Sequence, residues 1–183
     1  MEPIFTIQYG EFAVADYLSK KIKNASVFIP TSSQEKGIDL LLYRNNNGQN
    51  ETNTIQVKMS RTYFRESEKP YPYYLWFNRF NIQNNANWYI LVGIYPKYND
   101  NDNNINTKNI KWDTIMLAFT NEEMSAFMDE VKQKKDPNKD DKMFGFGFDN
   151  SKNIFQTRGY IQHRDMNKYL IENRIDEIIN SFN

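Results

Sequence analysis

Alternating apolar and polar residues predict two neighbouring strands in the first third of the chain, over Gly37–Tyr43 and Thr54–Ser60. Successive side chains of a strand point to opposite faces of the sheet. Ile55, Val57 and Met59 therefore share one face, and the polar residues between them share the other. The stretch that joins the two segments is polar and rich in turn-forming residues, which favours an antiparallel hairpin.

The polar face of this hairpin gathers three groups that can act on one ligand. Asp39 lies on the opposite face from its apolar neighbours, and Gln56 and Lys58 share a face in the second segment. If Tyr43 pairs with Thr54, Asp39 faces Lys58, whereas a shift of two residues places Asp39 opposite Gln56. Both registers bring the three side chains together. A plain hairpin with polar residues facing water would show the same alternation.

A helix that precedes the hairpin adds a carboxylate. Gly10–Lys23 reads as helical, because Glu11, Ala15, Leu18 and Ile22 recur at the spacing of one helical stripe. Glu11 is therefore expected on the buried side, near the N-terminus of the helix. Buried carboxylates are costly unless they are paired or bind a metal. The alternative is an acid that only stabilises the first turn through the helix dipole.

Apolar runs further along the chain predict the rest of a sheet. Ala25–Pro30 is expected to form a short strand, and Tyr73–Asn81 and Lys111–Phe119 are expected to form two more. The continuous apolar run Trp88–Tyr95 is typical of a strand that is buried on both faces.

Two helices are predicted in the last third of the chain. Thr120 and Glu123 have the spacing of a capping box ahead of an apolar helical stripe. Asp165 is expected to cap a final helix whose apolar side runs over Ile171–Phe182. Between the helices, Phe144–Phe148 alternates Phe with Gly, which predicts a strand or turn. It lacks the Lys and Ser/Thr of a phosphate-binding loop.

Composition narrows the possible chemistry. The 183 residues are expected to form a single domain, 1–183. The formal net charge is zero, so nucleic-acid binding would depend on a local patch. Cysteine is absent and His163 is the single histidine, which argues against thiolate chemistry, a Ser-His-Asp triad and a multi-histidine metal centre. No leader or membrane-length apolar run is visible, so a cytoplasmic protein is expected.

The segments Gly-Ile-Asp-Leu (37–40) and Ile-Gln-Val-Lys (55–58), with an acid on the preceding helix, resemble the core of the PD-(D/E)XK nuclease superfamily. The Gln-Val-Lys triplet is similar to the Q-x-K variant of Mrr-like restriction enzymes. The resemblance covers roughly the first 60 residues. It implies a restriction-endonuclease-like α/β fold, in which helices flank a central mixed β-sheet. Tyr63–Asn87 departs from the family plan, which places a helix soon after the Q-x-K strand.

The resemblance also implies a site for Mg²⁺ or Mn²⁺. Asp39 is the principal expected ligand, joined by Glu11, the side-chain oxygen of Gln56 and the backbone carbonyl of Val57. Lys58 is expected to orient a water molecule or to stabilise the transition state as a point charge.

DNA is the expected partner, and no membrane contact is expected. Arg61, Arg65 and Arg79 are interleaved with aromatic residues, and such side chains contact phosphates and stack on bases. Alternatively, this stretch forms a core hairpin and a solvated loop, or a protein interface, where Tyr and Trp are also common. Because family members are often dimers or use partner domains, a homodimer or a partner protein stays open.

Two functions fit these residues. The first is a metal-dependent deoxyribonuclease in restriction, defence or repair. The second is a non-catalytic module that keeps the nuclease fold and binds nucleic acid or protein. Gln56 stands where the family more commonly has an acid, which weakens the expected metal affinity and makes Glu11 or Glu35 more important.

Overall fold

A nine-stranded sheet organises the part of the chain that the structure describes. The computed structural model describes residues 9–31, 36–65, 70–97, 111–132, 143–159 and 163–182. The strands are β1 (Ser26–Phe28), β2 (Leu40–Asn46), β3 (Gln49–Phe64), β4 (Tyr73–Asn78), β5 (Trp88–Lys97), β6 (Lys111–Thr120), β7 (Met143–Phe148), β8 (Ile154–Arg158) and β9 (Arg164–Asp165). The helices are α1 (Tyr9–Lys21), α2 (Asn121–Lys132) and α3 (Ile175–Asn180), with short 3-10 helices at Asn167–Tyr169 and Ile171–Asn173.

β2 and β3 form the antiparallel hairpin that the sequence predicts, and the hairpin is longer than expected. Its strands continue to the pair Asn46 and Gln49. The turn is the dipeptide Asn47-Gly48, with φ angles of 52° and 87°. Positive φ at both central positions is the requirement of a type I′ turn, which Asn-Gly meets at low cost. Most of the polar stretch between the two predicted segments is therefore strand.

β3 is long enough to belong to two halves of the sheet. Its first part pairs antiparallel with β2, and Ile55 to Arg61 pair in parallel with β5. Its last residues, Thr62–Phe64, pair with β4. Where the partner changes, the Ser60 hydroxyl accepts a hydrogen bond from the Trp76 N–H (3.2 Å) and donates to the Trp76 carbonyl (2.7 Å). One half thus holds β1, β2, β3, β5 and β6, and the other holds the end of β3 with β4, β7, β8 and β9.

The core lies in two layers, one on each face of the first half. The layer between the two halves is closed by α2 and includes Tyr73, Leu75, Phe77, Tyr89, Leu91, Leu117, Phe119, Phe127, Phe144, Phe146 and Phe148. The second layer lies under α1 and α3 and includes Val14, Leu18, Leu40, Leu42, Ile55, Val57, Trp88, Ile90, Val92, Ile171 and Ile178. β5 contributes to both layers, which confirms the prediction that it is buried on both faces.

The structure is mostly β, with one large sheet and three α-helices among the described residues. Every strand pairing is antiparallel except that of β3 with β5. The predicted α/β arrangement is therefore only partly confirmed: α1 and α2 cover opposite faces, but helices are few. After β3 the described chain forms β4, because alternation buries Tyr73, Leu75 and Phe77. No helix within the described ranges is long and apolar enough to cross a membrane.

The two later helices differ in how well the sequence predicts them. The capping box of α2 is confirmed: the Thr120 N–H donates to Glu123 Oε2 (2.9 Å), and the Glu123 N–H donates to Thr120 Oγ1 (3.2 Å). The prediction of a long final helix that begins after Asp165 is wrong. Asp165 belongs to β9, and Leu170 has an extended backbone (φ −54°, ψ 133°) that interrupts the helical path. Leu170 forms a β-bridge with Leu117 instead, which leaves α3 short.

Candidate active site

Asp39 is held at the open end of the hairpin by two backbone contacts. Leu40 pairs with Ile55, so continuing the register sets Asp39 opposite Gln56, the second of the two predicted alignments. The Asp39 N–H donates to the Ile55 carbonyl (2.9 Å), and its carboxylate Oδ2 accepts from the Val57 N–H (2.7 Å). Among the described residues Oδ1 has no hydrogen-bond partner, so one carboxylate oxygen is available to a ligand.

Gln56 and Lys58 face the layer between the two halves of the sheet. Gln56 lies opposite Tyr89, which belongs to that layer, and the Lys58 Nζ is 5.7 Å from the centre of the Phe80 ring. Val57 packs into the other layer, beneath α1. The alternation predicted for this strand is thereby confirmed. Burial raises the pKa of the Tyr89 hydroxyl, and the nearby charge of Asp39 raises it too.

The side chain of Gln56 carries an unsatisfied oxygen. Gln56 is 7% exposed, and its Oε1 has no hydrogen-bond partner in the described part of the chain. Leaving a buried acceptor without a donor costs about 1–3 kcal/mol. A hard cation satisfies such an oxygen directly, because it binds neutral carbonyl and amide oxygens together with carboxylates.

α1, which covers the opposite face of β3 from Gln56 and Lys58, brings Glu11 within electrostatic range of Asp39 and Lys58. A Cβ at Gly10 would lie 3.2 Å from the Met59 Cβ, so the first turn of the helix rests directly on β3. Burial raises the pKa of Glu11, the charge of Asp39 raises it further, and Lys58 opposes both effects. The three charges come from α1, from the residue before β2 and from β3, yet they lie close enough to act on one another.

The position of Glu11 on its helix differs slightly from the prediction. Gly10, Val14 and Leu18 form the buried stripe of α1, whereas Glu11 is half-buried at its border. A carboxylate at the border keeps contact with water while it reaches the end of the hairpin.

A segment that sequence reasoning missed supports the turn leading into the acid. Gly37 has a φ of 92°, and a Cβ there would lie 2.6 Å from the Gln83 Cβ. Tyr89 Oη accepts from the Gln83 N–H (2.6 Å), and the Asn85 amide donates to the Lys36 carbonyl (2.9 Å). No sequence pattern predicts these contacts, because Lys36 and Asn85 are 49 positions apart. Gly37 itself is the one local signal, since a positive φ favours glycine.

The donor set fits a cation that keeps part of its water shell. Within the described ranges no group of three or more His, Asp or Glu side chains gathers at one point. The candidate site offers two carboxylates, Glu11 and Asp39, and the amide oxygen of Gln56. Mg²⁺ in proteins commonly uses one or two carboxylates, several waters and a substrate phosphate. The Val57 carbonyl stays a predicted ligand, and Glu35 lies outside the described residues.

The three predicted arginines do not form one cluster. Arg79 is exposed just beyond β4, next to Phe80, whose ring contacts Lys58. Arg61 is exposed on β3, and the Arg65 guanidinium lies 5.7 Å from the centre of the Trp76 ring. Arg79 is thus close to the candidate site, whereas Arg61 and Arg65 follow the surface beyond it.

Comparison with protein-family models, with curated proteins and with solved structures gave no match. The assignment of function therefore depends on the side chains gathered at the end of the hairpin.

Proposed function

We propose that the protein is a metal-dependent deoxyribonuclease that hydrolyses phosphodiester bonds of DNA. The observation that carries the proposal is the buried Oε1 of Gln56, which has no hydrogen-bond partner among the described residues. Gln56 lies opposite Asp39 and on the same face as Lys58. Oxygen donors for a cation and a lysine for a phosphate occur together at one end of a hairpin. Metal-assisted hydrolysis of a phosphodiester needs both.

Each residue of the site has a distinct part in this proposal. Asp39, Glu11 and the Gln56 oxygen would hold Mg²⁺ or Mn²⁺, which when bound offsets phosphate charge and lowers the pKa of a water molecule. The Val57 N–H fixes the orientation of the Asp39 carboxylate. Lys58 forms no ion pair within the described residues, so its ammonium is available to a phosphate or to the attacking water.

The order of the elements supports the same function. An acid at the start of α1, an acid before β2 and the Gln-Val-Lys triplet on β3 follow the order of the PD-(D/E)XK core that the sequence resembles. A restriction-endonuclease-like fold is part of the proposal. The parallel pairing of β3 with β5 agrees with it, whereas the long β3 strand and the second half of the sheet are additions to the family plan.

DNA is proposed as the substrate because cations lie on the approaches to the site. Arg79 is exposed beside Phe80, whose ring contacts Lys58, and Arg61 is exposed three residues beyond Lys58, on the opposite face of β3. Arginine and lysine supply most of the contacts by which proteins position a phosphate backbone.

The test is cleavage of duplex, single-stranded and branched DNA with Mg²⁺ or Mn²⁺ by the purified protein and by Asp39→Asn. The variant keeps the shape of the side chain and removes the charge that holds the cation, so cleavage should be lost with the fold intact by circular dichroism. Asp16→Asn is the matched control, because Asp16 is an exposed acid of α1 that pairs with Lys20. Equal cleavage by wild type and Asp39→Asn, or no cleavage with any DNA and either metal, would refute the proposal.

A non-catalytic nucleic-acid-binding module is the second candidate. It is favoured by the neutral Gln56 and by the small number of carboxylates at the site, two within the described residues. Titration calorimetry with Mg²⁺ and Mn²⁺ separates the two functions. A nuclease should bind the cation and lose that binding in Asp39→Asn, whereas a module that has lost the chemistry should bind none.

A further inference from the structure

Phe and Gly alternate along β7, so the Phe side chains lie on one face of the strand and the Gly residues on the other. Phe144, Phe146 and Phe148 are fully buried between the halves of the sheet. Gly145 and Gly147 therefore point to the outer face of the second half. The outer face of β7 thus has no side chains of its own over this stretch.

Aromatic side chains lie directly on this bare backbone. A Cβ at Gly145 would lie 2.4 Å from Trp76 Cδ1, and a Cβ at Gly147 would lie 2.8 Å from the Tyr71 Cβ. Any larger residue at either glycine would lift the neighbouring side chain off the sheet. The two glycines therefore allow the neighbouring aromatic side chains to pack directly against the backbone of β7.

The rings continue across the neighbouring strands. The Tyr63 ring lies 4.8 Å from that of Trp76, with an angle of 33° between the planes, and Tyr74 lies 6.4 Å from Trp76. At the other end, the rings of Tyr71 and Phe155 are 5.2 Å apart. We call these five residues the aromatic face. Tyr63 is 43% exposed, so part of this apolar surface is open to a ligand.

Among the described residues, two arginines lie at one end of the aromatic face. The Arg65 guanidinium lies over Trp76, and Arg61 shares a side of β3 with Tyr63 by alternation. Arg61 is exposed and forms no ion pair with any described residue.

Negative charge lies at the opposite end of the face. The charge of Asp149 helps to raise the pKa of Tyr71, although burial is the larger cause. Asp165 pairs with Phe155 across β8 and β9. The face is therefore polarised, and its Tyr63 and Trp76 end favours an anionic ligand.

We propose that the Tyr63 and Trp76 end of the aromatic face binds single-stranded nucleic acid by stacking its unpaired bases. This inference rests on the proposed nuclease function, because it names the form of substrate that reaches that site. Every base has a flat face that stacks on aromatic rings, and arginine beside the rings contacts the phosphates. A duplex hides those base faces within its own stack. Lys58 lies three residues before Arg61 on β3, about 10 Å along the strand and on its opposite face, so a strand bound at the aromatic face lies next to the candidate site and not within it.

The experiment is fluorescence anisotropy with a labelled single strand and with the duplex of the same sequence, in EDTA so that no cleavage occurs. Wild type should bind the single strand at least about tenfold more tightly than the duplex. Tyr63→Ala should weaken single-strand binding by about 5- to 150-fold. Trp112→Ala is the matched control, because Trp112 is 64% exposed on β6, which lies in the first half of the sheet and is not one of the strands of the aromatic face, and its loss should leave binding unchanged.

A second variant tests the contribution of positive charge beside the aromatic face. Arg61→Ala should weaken binding of all sequences alike and should reduce the slope of log K against log salt by about 1. Because Tyr63 and Arg61 are both exposed, neither variant should unfold the protein, and thermal unfolding checks this.

The outcomes separate this inference from the nuclease proposal. Asp39→Asn should cleave nothing and still bind the single strand as wild type does. Cleavage with no preference for single-strand binding, or with no effect of Tyr63→Ala on binding, would overturn the binding role of the aromatic face but not the nuclease proposal. Binding that depends on the aromatic face, without cleavage, would overturn the nuclease proposal alone. A change in sedimentation caused by Tyr63→Ala, with no nucleic-acid binding by wild type, would assign the face to self-association instead.

Discussion

Two places in the molecule bring carboxylates close to a basic side chain, and their electrostatic results are opposite. In the first, Arg174 is 5% exposed and donates to both carboxylate oxygens of Glu123, at 3.0 and 2.8 Å, while Glu177 forms a further ion pair. Only the Arg174 Nε lacks an acceptor among the described residues. Burial raises the pKa of Glu123, but hydrogen bonds from Arg174 and Thr120 outweigh it and leave that pKa below its ordinary value.

The end of the hairpin shows the reverse. Glu11, Asp39 and Lys58 act on one another, yet the described structure contains no ion pair among them. The pKa of Glu11 is raised, by burial first and by Asp39 second. Beside them the Gln56 Oε1 is buried without a donor in the described part of the chain. These groups are held close together by the fold and do not satisfy one another.

The difference separates charges that stabilise the fold from charges that form no ion pair among the described residues and that, under the proposed function, bind a ligand. A bidentate arginine pair joins the start of α2 to the turn before α3, and so links distant parts of the chain. A cluster with a raised carboxyl pKa and a buried oxygen that lacks a donor among the described residues would be stabilised by a bound ligand. This condition is common in functional sites. The comparison therefore predicts which substitutions reduce stability and which reduce function.

The largest effect should come from Lys58→Ala, on cleavage and not on stability. Loss of the ammonium should slow cleavage by about 10²–10³-fold, by analogy with other electrostatic stabilisers. The free energy of unfolding in urea should change by less than about 1 kcal/mol, because Lys58 forms no ion pair with any described residue. Lys20→Ala, at an exposed lysine of α1, is the control. A large loss of stability with normal cleavage per folded molecule would reverse the assignment.

Arg174→Met should show the opposite pattern. It leaves Glu123 and Glu177 without their partner, and should lower the free energy of unfolding by about 2–3 kcal/mol. This is less than for a fully buried pair, because the Glu123 side chain is 31% exposed. Cleavage per folded molecule should be unchanged. If Arg174→Met were no more destabilising than Lys20→Met, which breaks an exposed pair, the stabilising role of Arg174 would be wrong.

Gln56→Glu sharpens the comparison at the candidate site. A third carboxylate should tighten Mg²⁺ binding several-fold in calorimetry and should keep or raise cleavage, but it should destabilise the metal-free protein. Gln156→Glu is the matched control, because Gln156 is also buried but its Oε1 already accepts from Arg164 at 2.8 Å. Identical metal binding by the two variants would remove Gln56 from the cation site.

The smallest effect concerns pH. A raised pKa means that the stability contributed by protonated Glu11 is present below its ordinary value of 4.5 and is lost as pH rises through the folded pKa. Glu11→Gln should therefore stabilise the metal-free protein slightly at neutral pH. For Glu123 the sign is reversed: its stability is present above 4.5 and is lost as pH falls through the lowered pKa, so Glu123→Gln should flatten the acid limb. Urea unfolding across pH checks both.

Metal binding gives an independent readout of the Glu11 assignment. Cation binding should release protons from Glu11, so its heat in wild type should depend on the ionisation enthalpy of the buffer. That dependence should weaken in Glu11→Gln. Equal buffer dependence in the two proteins would place the titrating group elsewhere.

Local patterns along the chain are enough for part of this structure. Alternation in β2 and β3 specifies which side chains of the hairpin share a face, because the period of a strand is two. The Thr120 and Glu123 capping box likewise needs residues only three positions apart. The Asn47-Gly48 dipeptide is likewise a local signal for a turn. The polar residues around it show no apolar alternation, so the sequence does not indicate how far the strands extend.

Tertiary packing alone decides the rest. The register that sets Asp39 opposite Gln56 depends on which residues the core buries, and two alignments satisfy the local pattern equally well. The support of Gly37 by Gln83, the placement of Glu11 beside Asp39 and the pairing of Arg174 with Glu123 join residues that are distant in the chain. Such contacts leave no periodicity to read, because their geometry is set by how the sheet and helices pack together.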